Sequence, residues 1–123
     1  DVQVRCPYTI SVTDHPERAE AARRGTAAFY IARMGDFYYE HFVRMGYGDA
    51  ANAVRKAWAE GGSGAGAAAV PDALVDELGM AGELGPCCAA LDEAAEAGFS
   101  MLSVSVPERD LDKRAAIYRT LVG

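Results

Sequence analysis

Two stretches of hydrophobic alternation, far apart in the chain, limit the fold more than any other feature. Residues 2–13 carry apolar side chains at every even position and mostly polar ones at the odd positions, which is the two-residue period of a strand. Residues 101–106 repeat the pattern. Roughly ninety residues of mostly helical pattern separate the two, and such a connection joins parallel strands rather than a hairpin. We therefore predict an α/β fold with two parallel strands and a helical insertion between them.

The sequence between and after these strands predicts helices. They are expected over 16–60, over 72–97 with a loop at 80–82, and over 110–121. Gly35 interrupts the first region and is followed by Asp36, a good N-cap residue, so two helices are expected to meet there. Residues 61–69, GGSGAGAAA, predict a mobile connector, because no Gly-Lys-Ser/Thr follows to complete a phosphate-binding loop. The whole chain, 1–123, is expected to form a single segment.

Composition excludes several classes of partner. The formal net charge is −6 and the sequence pI is near 4.8, so there is no basic field for nucleic acid or an anionic membrane. No apolar run approaches the roughly 20 residues of a membrane span, and the first residues lack the pattern of a signal peptide. We therefore expect a cytoplasmic protein that contacts neither nucleic acid nor membrane. The start at Asp1, without Met, suggests a cut chain.

The cysteines and histidines offer little for metal or disulfide chemistry. The cysteines are Cys6, Cys87 and Cys88, an odd number with two adjacent, so reduced thiols are expected. His15 and His41 are the only histidines, and no CxxC or HxxxH spacing occurs, so a zinc site is not expected. Redox chemistry at Cys87 and Cys88 would need an exposed, electropositive setting. Their place on a helix face favours the core instead.

Small hydroxyl side chains occupy the second face of both predicted strands. They are Thr9, Ser11 and Thr13 on the first strand and Ser103 and Ser105 on the last. In a closed α/β barrel, such residues can line a ligand site near the carboxyl ends of the strands, while aliphatic residues pack against the outer helices. Isolated Ser and Thr also tolerate strand positions in general, and both interpretations stand. Two parallel strands alone do not make a stable sheet, so an upstream segment or a partner is expected to complete it.

An aromatic stripe over residues 26–47 dominates the helical region. Seven aromatic side chains fall within it, many at the three- and four-residue steps of an amphipathic helix. It can form a hydrophobic core, or its polar tips, Arg33, Tyr38 and His41, can face a ligand pocket. Arg33 could hold an anionic group or pair with Asp36 or Glu40. His41 could donate a proton or simply pack in the stripe.

Several segments together resemble a known enzyme family. These are the first strand, AAFYIARMGDFYYEHFVRMGY at 27–47, VPDALVDELGMAGE at 70–83, and AEAGFSMLSVSVPE at 95–108. In this order they are similar to the C-terminal third of luciferase-like monooxygenases, and most of all to the deazaflavin-dependent oxidoreductases that include methylenetetrahydromethanopterin reductase. The Ala97-Gly98 pair before the last strand matches that family's pattern. The resemblance covers nearly the whole chain.

The resemblance implies a fold and a reaction. The chain would be the C-terminal part of a (β/α)8 TIM barrel and would supply its last two strands. The reaction would be hydride transfer between a flavin or deazaflavin and a small organic substrate. The cofactor would be coenzyme F-420 (a deazaflavin) or FMN, bound mainly by residues outside this chain, and no catalytic residue is predicted within it. The remaining partner would be the rest of the barrel or a second copy in a homo-oligomer such as a dimer.

The resemblance also implies which residues form the pocket. Ser11, Thr13 and Ser105 would contact the cofactor, and Arg33, Tyr38 and His41 would contact the substrate. The alternative function, from a different class, is a free-standing helical module whose aromatic stripe binds an apolar ligand or a partner helix.

Overall fold

The computed structural model describes residues 5–123, with side chains from Tyr8 onward. The fold is mixed α/β and mostly helical, with one small parallel sheet. The strands are β1 (Arg5–Val12), β2 (Gly79–Gly82) and β3 (Met101–Ser105). The helices are α1 (Pro16–Arg33), α2 (Asp36–Phe42), α3 (Gly48–Ala68), α4 (Asp72–Leu78), α5 (Leu84–Glu96) and α6 (Leu111–Val122), with a π-helical turn at Val43–Tyr47.

The sheet contains one more strand than the sequence predicts. Its order is β2-β1-β3, and β1 pairs in parallel with both neighbours. The predicted loop at 80–82 is wrong, because Gly79–Gly82 aligns with Thr9–Val12 and pairs with it. This segment has no β-branched residue, so its own sequence does not favour a strand. Pairing with β1 decides its conformation.

The described chain divides into two compact units. The sheet unit comprises the described residues up to Ala19 together with Leu78–Gly123, and the helical unit comprises Glu20–Glu77. The prediction of a single segment did not anticipate this division.

The core of the sheet unit lies on the even face of β1 and β3. Ile10, Val12, Val106 and Cys87 are buried there. Side chains of α5 and α6, including Leu91, Ile117 and Leu121, pack against them. Ile10 aligns with Met80 on one side and Val104 on the other, so a row of apolar side chains crosses the sheet. The even positions predicted to be apolar in both strands therefore form the core, which confirms that interpretation of the alternation.

Gly98 and Asp110 mark the ends of the helices around β3. Gly98 has a φ of 97°, a left-handed conformation that glycine adopts without steric cost, and it ends the α5 turn as the sequence predicts. The Asp110 side chain accepts hydrogen bonds from the backbone N–H groups of Asp112 and Lys113. It is the N-cap of α6.

The core of the helical unit is small and aliphatic. Ile31, Ala28, Val54 and Leu74 are all fully buried. Gly35 breaks the helical path as predicted, with a φ of 74° between α1 and α2. Asp36 is the first residue of α2 rather than its cap, and Gly35 takes the N-cap position without a side-chain hydrogen bond.

The predicted mobile connector at 61–69 is wrong for most of its length, because α3 continues to Ala68. Gly62 has a φ of 78° and kinks the helix. Beyond the kink, Gly66 is buried against Trp58, and a Cβ at Gly66 would lie 2.6 Å from Cε3 of that ring. The sequence rule that a Gly-rich run is flexible fails for this segment because glycine also permits close packing against an aromatic ring.

Candidate functional site

The hydroxyl side chains predicted to contact a cofactor lie together at the carboxyl ends of two neighbouring strands. Thr9 aligns with Ser103, and Ser11 aligns with Ser105. Aligned residues of adjacent parallel strands point to the same face of a sheet. On the other side of β1, Ser11 aligns with Ala81. A row of small residues, Ala81, Ser11 and Ser105, therefore crosses this face, and it leaves space above the strands that large side chains would fill.

The members of this row differ in exposure. Ser11 is 6% exposed and is the only buried polar residue among the described residues. Ser105 is exposed. The two hydroxyl groups thus provide one enclosed and one accessible hydrogen-bonding position at the same edge of the sheet. Each hydroxyl can donate one hydrogen bond and accept others.

Thr13 follows β1 and is used in a turn. Its backbone N–H donates to the Gly82 carbonyl at 2.9 Å, which continues the alignment of β1 with β2. Its Oγ1 accepts a hydrogen bond from the His15 backbone N–H at 3.0 Å, the geometry of a Thr-initiated turn. The Thr13 hydroxyl keeps its proton free to donate, but one of its acceptor positions is occupied.

Cys87 lies beneath the strands on the opposite, apolar face. Its Sγ donates to the carbonyl oxygens of Ser11 and Gly82, both at 3.6 Å. The side chain is fully buried, and burial raises the pKa of the Cys87 thiol, with the adjacent Cys88 adding to the rise. The thiol form is therefore favoured, which agrees with the prediction that Cys87 belongs to the core.

The raised pKa of Cys87 predicts a loss of stability at alkaline pH. The unfolded chain releases the thiol proton near its ordinary pKa of about 8.5, while the folded chain holds it. Above that pH the folded state binds more protons, so the free energy of unfolding falls as pH rises. We expect the urea midpoint to fall from pH ~7 to pH ~10, and to fall less in Cys87→Ala. Equal slopes in the two proteins would contradict the assignment.

Five aromatic rings form a continuous ladder in the helical unit. In order they are Trp58, Phe29, Tyr30, Tyr38 and Phe37, with successive centroid distances of 6.3, 6.2, 4.6 and 5.3 Å. Tyr30 and Tyr38 are stacked, while Phe37 meets Tyr38 edge to face. Phe37 is 71% exposed and Phe29 is 44% exposed. The stripe predicted from sequence is thus partly a surface rather than a closed core.

Two of the three predicted substrate contacts are exposed, and the third belongs to this ladder. Tyr38 is half-buried by its stack on Tyr30. His41 is exposed, with its ring 5.8 Å from that of Phe42. Arg33, the last residue of α1, is exposed and forms no ion pair with the described residues. The expected alternative partner of Arg33, Asp36, pairs with Arg55 instead.

Arg55 of α3 is a polar centre that the sequence analysis missed. Its Nε donates to the Ile31 carbonyl at 3.0 Å, and its Nη2 donates to the Gly35 carbonyl at 3.2 Å and to Asp36 Oδ1 at 3.0 Å. The guanidinium carbon also lies 3.8 Å from the Tyr39 ring centroid. One side chain therefore joins the end of α1, the break at Gly35 and the start of α2. Its position among Ala51, Val54 and Trp58 on the inner side of α3 is the only sequence signal of this role.

Arg24 performs a similar task between α1 and α4. It donates to the Val70 carbonyl and to the carboxylates of Glu20 and Asp72. Asp72 is the main cause of the raised pKa of Arg24, and Glu20 adds to it. Nearby on the chain, burial raises the pKa of Tyr47, helped by the Glu77 carboxylate beside its hydroxyl.

The described residues contain no cluster of His, Cys, Asp or Glu that could hold a metal ion. Among the helices in the described part of the chain, none has both the length and the apolarity to cross a membrane. Comparisons with protein families, with curated proteins and with solved structures find no match for this chain.

Proposed function

We propose that this chain forms the C-terminal part of a flavin- or deazaflavin-dependent oxidoreductase and supplies one wall of its cofactor pocket. The carrying observation is the alignment of Ser11 with Ser105 at the carboxyl ends of two parallel strands. In open α/β sheets, ligands bind in the crevice outside these ends where neighbouring strands connect in opposite directions. In closed α/β barrels they bind at the same ends.

The strand order supports a site between β1 and β3. The chain passes from β1 to β2 on one side and later to β3 on the other. This change of direction is the point at which doubly wound sheets bind nucleotides and flavins. The small residues of this row leave the space that a planar ring system needs. Ser11 and Ser105 would donate hydrogen bonds to the ring carbonyl groups, and Thr13 would do so from the end of the same strand.

The open edges of the sheet support a role as part of a larger sheet. Within residues 5–123, β2 and β3 each pair on one side only. Parallel sheets are normally larger and covered on both faces. In a (β/α)8 barrel, however, strands consecutive in the chain are neighbours, so completion of a barrel requires β3 to move from β1 to the free edge of β2.

A double substitution tests that requirement. In the strand order β2-β1-β3, Ser11→Cys/Ser105→Cys places two thiols at aligned positions, and mild oxidation should link them in the purified chain. If the chain belongs to a barrel, the same pair should not link in the complete protein, because β2 then separates the strands. Linkage in both samples would favour an open sheet and contradict the barrel.

Cofactor binding tests the function itself. Titration with FMN or the deazaflavin, followed by cofactor fluorescence, is expected to show saturable binding to the chain. Ser105→Ala should weaken the affinity about threefold to tenfold, the effect of one lost hydrogen bond. Ser63→Ala, an exposed serine in the helical unit, should change nothing. Absence of binding by both cofactors at millimolar concentration would contradict the proposal.

A second candidate function has one observation in its favour. The exposed end of the aromatic ladder, at Phe37 and Phe29, fits a module that binds a planar apolar ligand. In that case Phe37→Ala, rather than Ser105→Ala, would abolish binding in the same titration.

A further inference from the structure

Arg23, on α1, has two buried guanidinium nitrogens without an acceptor. Nε and Nη1 are closed off from solvent, and neither has a hydrogen-bond partner among the described residues. Together they carry three N–H donors on a group that stays charged at any ordinary pH. Buried donors of a charged group nearly always have partners in folded proteins, because leaving them unpaired is costly. The folded helical unit therefore holds an unmet demand for oxygen acceptors at this position.

The other partly buried arginines of the helical unit differ from Arg23 in this respect. Arg24 donates to one carbonyl and two carboxylates, and Arg55 donates to two carbonyls and one carboxylate. The carboxylate of Glu20, one turn before Arg23, is bound to Arg24 through Oε1. The fold thus provides acceptors for two arginines and directs the nearest acidic side chain away from the third.

We propose that Arg23 binds an oxyanion, the phosphate or carboxylate group of a small ligand. Both groups present several oxygens to a planar guanidinium, and hydrogen bonds between opposite charges are the strongest that Arg makes. The bound oxygens would accept from Nε and Nη1 and neutralise the charge. This site lies in the helical unit and does not depend on the proposed cofactor site of the sheet unit.

Thermal unfolding in two anion series tests the proposal. The chain is unfolded in increasing sodium phosphate and, separately, in increasing sodium acetate, with sodium chloride added to hold the ionic strength constant. We expect the wild-type midpoint to rise in at least one series, because a ligand that binds only the folded state stabilises it. A rise in phosphate alone assigns a phosphate site, and a rise in acetate alone assigns a carboxylate site.

Two variants and one control connect this rise to Arg23. Arg23→Met keeps most of the apolar stem, removes the donors and should abolish the rise. Arg23→Lys keeps the charge but loses the guanidinium donors, and it should weaken the anion affinity about tenfold. Arg18→Met, at an exposed position on the same helix, should respond like the wild type.

Side-chain NMR covers the case in which Arg23→Met does not fold. The Nε–H resonance of Arg23 in the wild-type chain, assigned by its absence from Arg23→Lys, should shift and saturate with the anion that stabilises the protein. The proposal is overturned if neither anion raises the wild-type midpoint beyond chloride, if the rise persists in Arg23→Met, or if the Arg23 resonance does not respond.

Discussion

Arg55→Met is expected to lower the free energy of unfolding by about 2–3 kcal/mol. The substitution keeps a side chain of similar length but removes every donor to the Ile31 carbonyl, the Gly35 carbonyl and Asp36. Ile31 lies in the last turn of α1, where carbonyl groups lack helical partners, so its oxygen would lose its bond in a partly buried place. The stacking of the cation on Tyr39 is lost as well.

The measurement is urea unfolding followed by circular dichroism. Arg55→Lys should recover only a part of the loss, because one ammonium group cannot reach three separated oxygens. Lys56→Met, an exposed neighbour, is the control and should stay within about 0.5 kcal/mol of the wild type. Amide hydrogen exchange in Arg55→Met should increase first at the junction of α1 and α2. A loss no larger than that of Lys56→Met would refute the role given to Arg55.

Ile10→Ala is expected to lower the free energy of unfolding by about 2–5 kcal/mol, more than the loss expected for Arg55→Met. Ile10 is 1% exposed at the centre of the middle strand. It aligns with Met80 and Val104, and it belongs to the same buried cluster as Cys87. Removal of its larger side chain leaves a cavity that a paired strand cannot close by moving, since β1 is hydrogen-bonded on both sides.

Val122→Ala provides the matched aliphatic control for this experiment. Val122 is 85% exposed at the end of α6, so the loss of its methyl groups should change the free energy of unfolding by less than about 0.5 kcal/mol. Both variants are compared with the wild type by urea unfolding. Similar midpoints for Ile10→Ala and the wild type would mean that the even face of the sheet is not the core.

The fold illustrates what local sequence patterns carry. The alternation at 101–106 predicts β3, and the glycines at 35 and 98 predict the break after α1 and the end of α5. These features depend on residues close in the chain, whose backbone preferences act over one or two turns. The part of the first predicted strand at residues 2–4 lies outside the described residues.

The candidate site divides in the same way. The sequence predicts that Ser11 and Ser105 face the same side of the sheet, and the structure shows them aligned. It does not predict that the Thr13 oxygen accepts from His15 in a turn. The assignments of Ser11, Thr13 and Ser105 to a cofactor, and of Arg33, Tyr38 and His41 to a substrate, stay predictions.

The sequence by itself determined the helices and the apolar faces of β1 and β3, because periodicity and glycine conformations are local properties. Only the tertiary structure decided that Gly79–Gly82 is a strand, since its hydrogen bonds come from β1, and that the glycines after Gly62 remain helical, since Gly66 packs on Trp58. It alone also decided how the arginines are satisfied. Arg55 finds its acceptors 19 to 24 residues away, and the two buried nitrogens of Arg23 find none among the described residues. Interactions across such distances depend on packing, which no local pattern encodes.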